Sequence, residues 1–247
     1  MGRLLRYLVL ALPLAVGPAA VHGNALIADL SKHLVAITTG FTGADVLLFG
    51  TIDGEGDIAV VVRGPNEEVV VRRKQRMAGI WVNGRNLTFR RVPAFYAVAA
   101  TREITDFAPE PVLSRHQIGA THLRFGRPRR AEDAEIVEFR AALLRNKQTA
   151  GLYPDGVGRV SVLGGRLFRT QVTFPANVPT GTYSVEVFLI RDGAVVGAQT
   201  TPLVVSKVGT EAEIFDFAHN QAALYGIVAI VIALVAGWLA GTIFRKA

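Results

Sequence analysis

Cysteine is absent from all 247 residues, so disulfide staples, thiolate metal sites and cysteine nucleophiles are excluded. The core must come from apolar packing alone, and the roughly 195 residues between the two apolar ends are enough to build one. Acidic residues are missing from both ends: all 20 lie between Asp29 and Asp216. No serine sits in a Gly-x-Ser-x-Gly elbow, and there is no Ser-x-x-Lys, so the local signatures of nucleophilic catalysis are lacking. Neither a repeat of fixed period nor a low-complexity tract is present.

No charge interrupts the run from Leu224 to Phe244. At about 1.5 Å per residue it covers roughly 30 Å, the thickness of the hydrocarbon core of a bilayer. It predicts one C-terminal transmembrane helix over 222–244, with Tyr225 and Trp238 near its ends, where amphipathic rings prefer the headgroup region. Arg245 and Lys246 follow it, and a cytoplasmic tail is expected over 245–247. At the other end, Arg3 and Arg6 precede an apolar run from Leu4 to Val16, and residues 1–23 read as a secretory signal. The positive-inside rule then puts the bulk of the chain on the far side of the membrane.

The formal charge of +7 changes meaning under this division. Arg3, Arg6, Arg245 and Lys246 are four of the 27 basic residues, leaving 23 against 20 acidic in the exported part. So mild an excess, outside the cytoplasm, argues against nucleic acid as a partner.

Between Lys32 and Arg102, short β-branched runs alternate with turn residues and predict an antiparallel meander. The strands expected are 33–39, 45–52, 57–63 and 68–73, then a hairpin of 79–82 and 86–89 turning on Asn83-Gly84-Arg85. Pro111 can open a helix through about Leu123. Over 131–147, Glu132, Asp133 and Glu135 lead and Arg145 and Lys147 close a second helix, and Ile136, Phe139, Leu143 and Ala150 fall near the spacing of one face that can pack on a sheet. Strands return over 159–163, 166–174, 182–191 and 194–205, the last two joined at Asp192-Gly193.

Gly181-Thr-Tyr183 leading into a strand is similar to the tyrosine corner of immunoglobulin-like sandwiches. The expected fold is mainly β with a helical insertion: an immunoglobulin-like antiparallel β-sandwich ectodomain, in one or two lobes, plus one C-terminal transmembrane helix. The expected order is a β-rich lobe over 24–108, the insertion over 109–148, a second β lobe over 149–207, and a membrane-proximal stalk over 208–221 before the helix.

Candidate binding residues are few. His116 and His122 are six apart, off one helical face and unlike a zinc pair, while His33 and His219 stand alone. Asp53-Gly-Glu-Gly-Asp57 alternates carboxylates but lacks the downstream glutamate of a calcium loop, and reads as a tight solvated turn. No cofactor or metal site is expected. Two basic runs, Arg72-Arg73-Lys74-Gln-Arg76 and Arg127-Pro-Arg129-Arg130, are either solvated loops neutralised by nearby acids or contacts for an anionic surface. In the terminal helix, Ala229, Ala233, Gly237 and Gly241 recur every four residues and offer a face for another helix.

The segments Ala28 to Gly43, Leu47-Leu-Phe-Gly50, Arg115-His-Gln-Ile-Gly119 and Pro179-Thr-Gly-Thr-Tyr183, together with the terminal span, resemble a family of alphaproteobacterial transmembrane proteins of uncharacterised function. The resemblance implies an inner-membrane protein with a periplasmic domain and supplies no catalytic residues. Such family members are often encoded beside multispanning exporters of the sulfite exporter type. The function expected is a non-enzymatic, membrane-anchored interaction module whose partner is another membrane protein, such as a multispanning transporter. The alternatives are a membrane-tethered enzyme or metal-dependent ligand binder, needing His116 or His122 to converge with carboxylates, and a structural envelope protein on anionic lipid or polymer.

Overall fold

The computed structural model describes residues 25–77, 79–128, 131–209 and 222–244. The expected signal, the tail, most of the stalk, and Arg129, Arg130 and His219 lie outside the described residues.

Elements are numbered in chain order. One sheet has the order β1 (Leu26–Leu30), β3 (Gly43–Ile52), β10 (Leu167–Pro175), β9 (Ser161–Leu163). The second has the order β2 (Leu34–Ile37), β12 (Ala194–Lys207), β11 (Gly181–Arg191), β4 (Asp57–Arg63), β7 (Tyr96–Ala100), β8 (Gly158–Arg159). A separate pair joins β5 (Asn66–Met77) to β6 (Ile80–Pro93). Between β7 and β8 come α1 (Glu110–His116) and α2 (Asp133–Thr149), and α3 (Ala222–Phe244) ends the described chain. Strands from before and after the helices share both large sheets, which makes one two-sheet body.

The expected meander is not formed. Consecutive strands β3 and β4 go to different sheets, and β2 runs parallel to β12. The reason is burial. β3 alternates buried Val46 and Leu48 with exposed Leu47 and Phe49, so one of its faces meets solvent. β4 is buried on both faces: Ile58, Val60 and Val62 point into the core between the sheets, and Ala59 and Val61 into a second core beneath the helical segment. Its unbroken Val-Val-Val run fits only a central strand covered twice.

The second core joins Tyr96, Phe188 and Ile190 of the sheet to Phe107, Leu113, Ile118 and Leu123 of the insertion. The helix expected from Pro111 to Leu123 stops at His116. Gln117 takes a left-handed conformation with φ of 53°, and the Gln117 and Ile118 N–H groups both return to the Leu113 carbonyl, a 3.0 Å bond for Ile118. This closure drives Ile118 into the core, where it is fully buried. The two later hairpin strands behave as expected: Asp192 and Gly193, with φ of 49° and 73°, turn β11 into β12. Tyr183 packs against Phe95 and Phe174, and its hydroxyl donates to the Pro179 carbonyl at 2.6 Å, tying the loop to the strand it enters.

Candidate functional site: the β5–β6 arm

β5 and β6 belong to neither large sheet and form a two-stranded arm. The Asn83-Gly84-Arg85 turn expected from sequence is a correction: β6 runs straight through it, and the chain turns between Met77 and Ile80, where Gly79 has φ of 86°. Gly84 and Arg85 instead stand as a bulge opposite Arg73, between the pairs Arg72–Asn86 and Lys74–Asn83. Moving the turn outward lengthens the arm to 12 residues on the β5 side, about 40 Å at 3.3 Å per residue.

Only the base of the arm has a core. Val71, Leu87, Phe89 and Val92 pack on Phe139 and Leu143 of α2, as the helical spacing predicts. Arg73 shares that inner face: it ion-pairs with Glu138, and its guanidinium lies 5.3 Å from the Phe139 ring centre. Arg85 grips Glu135 through two bonds of 2.7 and 3.0 Å, and this contact holds the Glu135 carboxyl below the usual range. Lys147, buried, pairs with Glu67 and donates to the Ala94 carbonyl at 3.2 Å.

The outer face is different. A strand's alternation puts Arg72, Lys74 and Arg76 together, opposite the face carrying Val71 and Arg73. Their cross-strand partners are Asn86, Asn83 and Trp81. Among the described residues these three cations have no carboxylate partner; Arg76 donates only to the Gly79 carbonyl, at 3.3 Å. At the tip, Ile80 is 65% and Trp81 68% exposed, and Met77 is exposed beside them. An apolar tip above an unpaired cationic face has the amphipathic composition of a membrane-interface element.

The basic runs thus divide. Arg72, Lys74 and Arg76 share a face without a carboxylate among the described residues, Arg73 is neutralised by α2, and Arg127 is paired to Asp133 at 2.6 Å. Arg127 still borders the arm, in a shallow hollow of about 280 Å³ with Asn86, Thr88 and Arg90. Trp81, Ile80 and Met77 were not singled out by sequence, since a turn at Asn83 makes them the inner part of a shorter hairpin. Gly79 beside Ile80 and Trp81 is the signal that points to them.

The other candidates fall in different places. His122 Nε2 lies 3.0 Å from Glu110, whose carboxyl is lowered chiefly by that bond. Ser114 also binds this carboxylate, at 3.0 Å, so the carboxylate rather than the imidazole sits beside the hydroxyl, and the order needed for a base-activated nucleophile is missing there. His116 packs against Phe188. In the Asp53–Asp57 turn, Arg191 takes the carbonyls of Asp53 and Glu55, while Asp57 grips Arg102 at 2.8 and 3.0 Å. Those oxygens already serve cationic partners. Among the described residues no three His, Asp or Glu side chains gather as a metal site.

Ala229, Ala233, Gly237 and Gly241 lie along α3, whose 20 residues Ala222–Gly241 have a mean hydropathy of 2.4 and are unburied throughout. Among the described residues this is the one helix long and apolar enough to cross a membrane.

A mostly β body joined to one such helix defines the class, a single-pass membrane-associated protein. More particularly, residues 25–246 match the model of the family described as "Putative transmembrane protein (Alph_Pro_TM)", and the chain belongs to that family. No curated protein matches the sequence.

Proposed function

We propose that this is a non-enzymatic module, anchored by α3 with its β body on the periplasmic side of the inner membrane and its C-terminus cytoplasmic, that docks on an anionic membrane surface through the β5–β6 arm. We read its two sheets as an immunoglobulin-like sandwich, a reading supported by the tyrosine bond from Tyr183 to Pro179. The observation that carries the function is the outer face of the arm, where Arg72, Lys74 and Arg76 have no carboxylate partner among the described residues and share their face with an exposed Trp81. Each cation close to an anionic bilayer contributes about 1 kcal/mol, and tryptophan favours the headgroup zone.

Trypsin tests this reading, because it cuts after arginine and lysine. With the full chain in nanodiscs, cleavage within Arg72–Arg76 should slow when phosphatidylglycerol replaces phosphatidylcholine and recover at high salt. Equal cleavage in both lipids would remove the reading.

A second reading rests on the small-residue face of α3, where a Cβ added at Gly237 or Gly241 would meet nothing within 4 Å beyond its own helix among the described residues. It would let another membrane protein, such as a multispanning transporter, pack closely.

A further inference from the structure

A cleft of about 580 Å³ opens where β4 ends, between α1 and the base of β6, and its lining is strongly basic. Arg63, Arg91, Arg115 and Arg124 border it together with His116, against one carboxylate among the described residues, Glu186. None of these arginines belongs to the basic runs that sequence singles out. Arg115, His116 and Gln117 do belong to the Arg115–Gly119 segment, for which the arm has no use.

Two of the four guanidinium groups are already employed in holding the wall. Arg63 ion-pairs with Glu186 and donates to the His116 carbonyl, while Arg124 donates to the Ser114 carbonyl at 2.9 Å. These bonds cover the carbonyls at the end of α1, which would otherwise repel an anion. The lining carboxylate Glu186 is spent on Arg63. Arg91 and Arg115 remain, exposed, with no ion pair or hydrogen bond among the described residues. The Arg63 Nε–H is buried with no acceptor among the described residues, a donor left unsatisfied in the wall itself.

The backbone is bent to this arrangement. Arg91 and Gln117, with φ of 55° and 53°, are two of the three non-glycine residues at positive φ among the described residues, and both line the cleft. The third, Asp192, is explained by its hairpin turn. Arg91 lies in a second bulge of β6, where Arg90 and Arg91 stand opposite Glu68. Bulges re-aim side chains. Here Arg90 goes to Glu68 at 3.1 Å, and Arg91 borders the cleft instead of pairing with it. Such conformations persist only where their surroundings hold them, and Tyr96 helps to hold one, donating to the Gln117 carbonyl and accepting from the Gly119 N–H, both at 2.7 Å.

We infer that this cleft binds a phosphate or sulfate group through Arg91 and Arg115, with Arg63 and Arg124 as the fixed cationic wall. Planar guanidinium forks match the paired oxygens of such groups. The volume exceeds that of a lone oxyanion and falls in the range of small-molecule sites, so the group is carried on a small polar molecule, free or as a lipid headgroup. The inference uses Arg91 at the base of the arm and does not rest on the docking proposed for the arm's outer face.

The test uses the full chain in phosphatidylcholine nanodiscs, followed by thermal unfolding of the β body at constant ionic strength. Inorganic phosphate, inorganic sulfate and glycerol phosphate should raise the unfolding temperature saturably over chloride, as a ligand of the folded state does. Arg91→Gln and Arg115→Gln should each weaken the response at least tenfold, whereas the triple Arg72→Gln, Lys74→Gln, Arg76→Gln variant should leave it intact. A rise seen only in phosphatidylglycerol discs, lost on Arg91→Gln and Arg115→Gln but kept in the triple variant, would support the site and name a lipid headgroup as its source. No saturable response to any of these anions or lipids, or one that Arg91→Gln and Arg115→Gln leave unchanged, would overturn the inference.

Discussion

Arg76 and Trp81 are direct cross-strand partners at the end of the β5–β6 arm, so a cation and an exposed indole share one face. Lys74 and Arg72 continue that face inward at the two-residue period of a strand, while Arg73 turns the other way and is neutralised by Glu138. The sorting of five consecutive polar residues into a paired side and a free side is what turns a basic run into a surface.

The arm stands only because α2 supports its base. Phe139, 2% exposed among Val71, Leu87 and Phe89, is the centre of that contact. Phe139→Ala should cost about 3–5 kcal/mol locally. Hydrogen exchange should then show lost protection in β5, β6 and α2 while β4 and β11 stay protected. Uniform loss across both large sheets would show that the arm and the body are one cooperative unit.

Tyr96 ties the Gln117–Gly119 turn to the sheet through two bonds. Burial holds its hydroxyl well above its ordinary range, so it is protonated at any working pH. Tyr96→Phe leaves the Gly119 N–H without its acceptor and should destabilise the fold by about 1–3 kcal/mol in denaturant unfolding. An unchanged midpoint would mean that solvent replaces the hydroxyl at no cost.

Asp57 joins the start of β4 to the end of β7 through Arg102 and Thr101, and its carboxyl is lowered mainly by the Arg102 bond. A lowered folded pKa gives stability that is full above about pH 4 and is lost as pH falls through the folded value. Asp57→Asn should lower the unfolding temperature at pH 7, costing about 1–2 kcal/mol after allowance for partial exposure, and flatten the fall between pH 4 and pH 2. An unaltered acid limb would assign that fall to other carboxylates.

If the small-residue face of α3 meets another helix, Gly237→Leu and Gly241→Leu should each reduce crosslinking to that membrane partner about tenfold, the effect of losing about 1–2 kcal/mol of close packing. Crosslinking that is unchanged in both variants would leave α3 as an anchor alone.

Legibility in the sequence followed locality. α3 could be read outright, because an uncharged run of bilayer length has few soluble uses. The β11–β12 turn was legible because Asp192 and Gly193 meet the backbone demand themselves. The face of α2 was legible from the spacing of Ile136, Phe139 and Leu143. Other features depend on distant partners. Asn83-Gly84 has the chemistry of a hairpin turn, yet packing Val71 and Leu87 against α2 fixes a register in which Asn83 pairs with Lys74 and Gly84 joins Arg85 in a bulge. The helix after Pro111 ends at His116, where Arg63 and Tyr96, far back in the chain, hold the turn. Strands β3 and β4 look like neighbours until the burial of both faces of β4 separates them. The free face of the arm was half visible: the cations could be named, but the place of Trp81 beside them followed only from the true turn.

The docking of the arm is tested most directly by the emission of Trp81. The chain has two tryptophans, so a Trp238→Phe variant leaves Trp81 as the sole reporter. In nanodiscs, replacing phosphatidylcholine by phosphatidylglycerol should shift its emission to the blue and expose it to quenching by brominated lipid. The shift should vanish in the Arg72→Gln, Lys74→Gln, Arg76→Gln background, where about 3 kcal/mol of attraction is removed. Emission typical of water-exposed tryptophan in both lipids, with no quenching, would contradict the account.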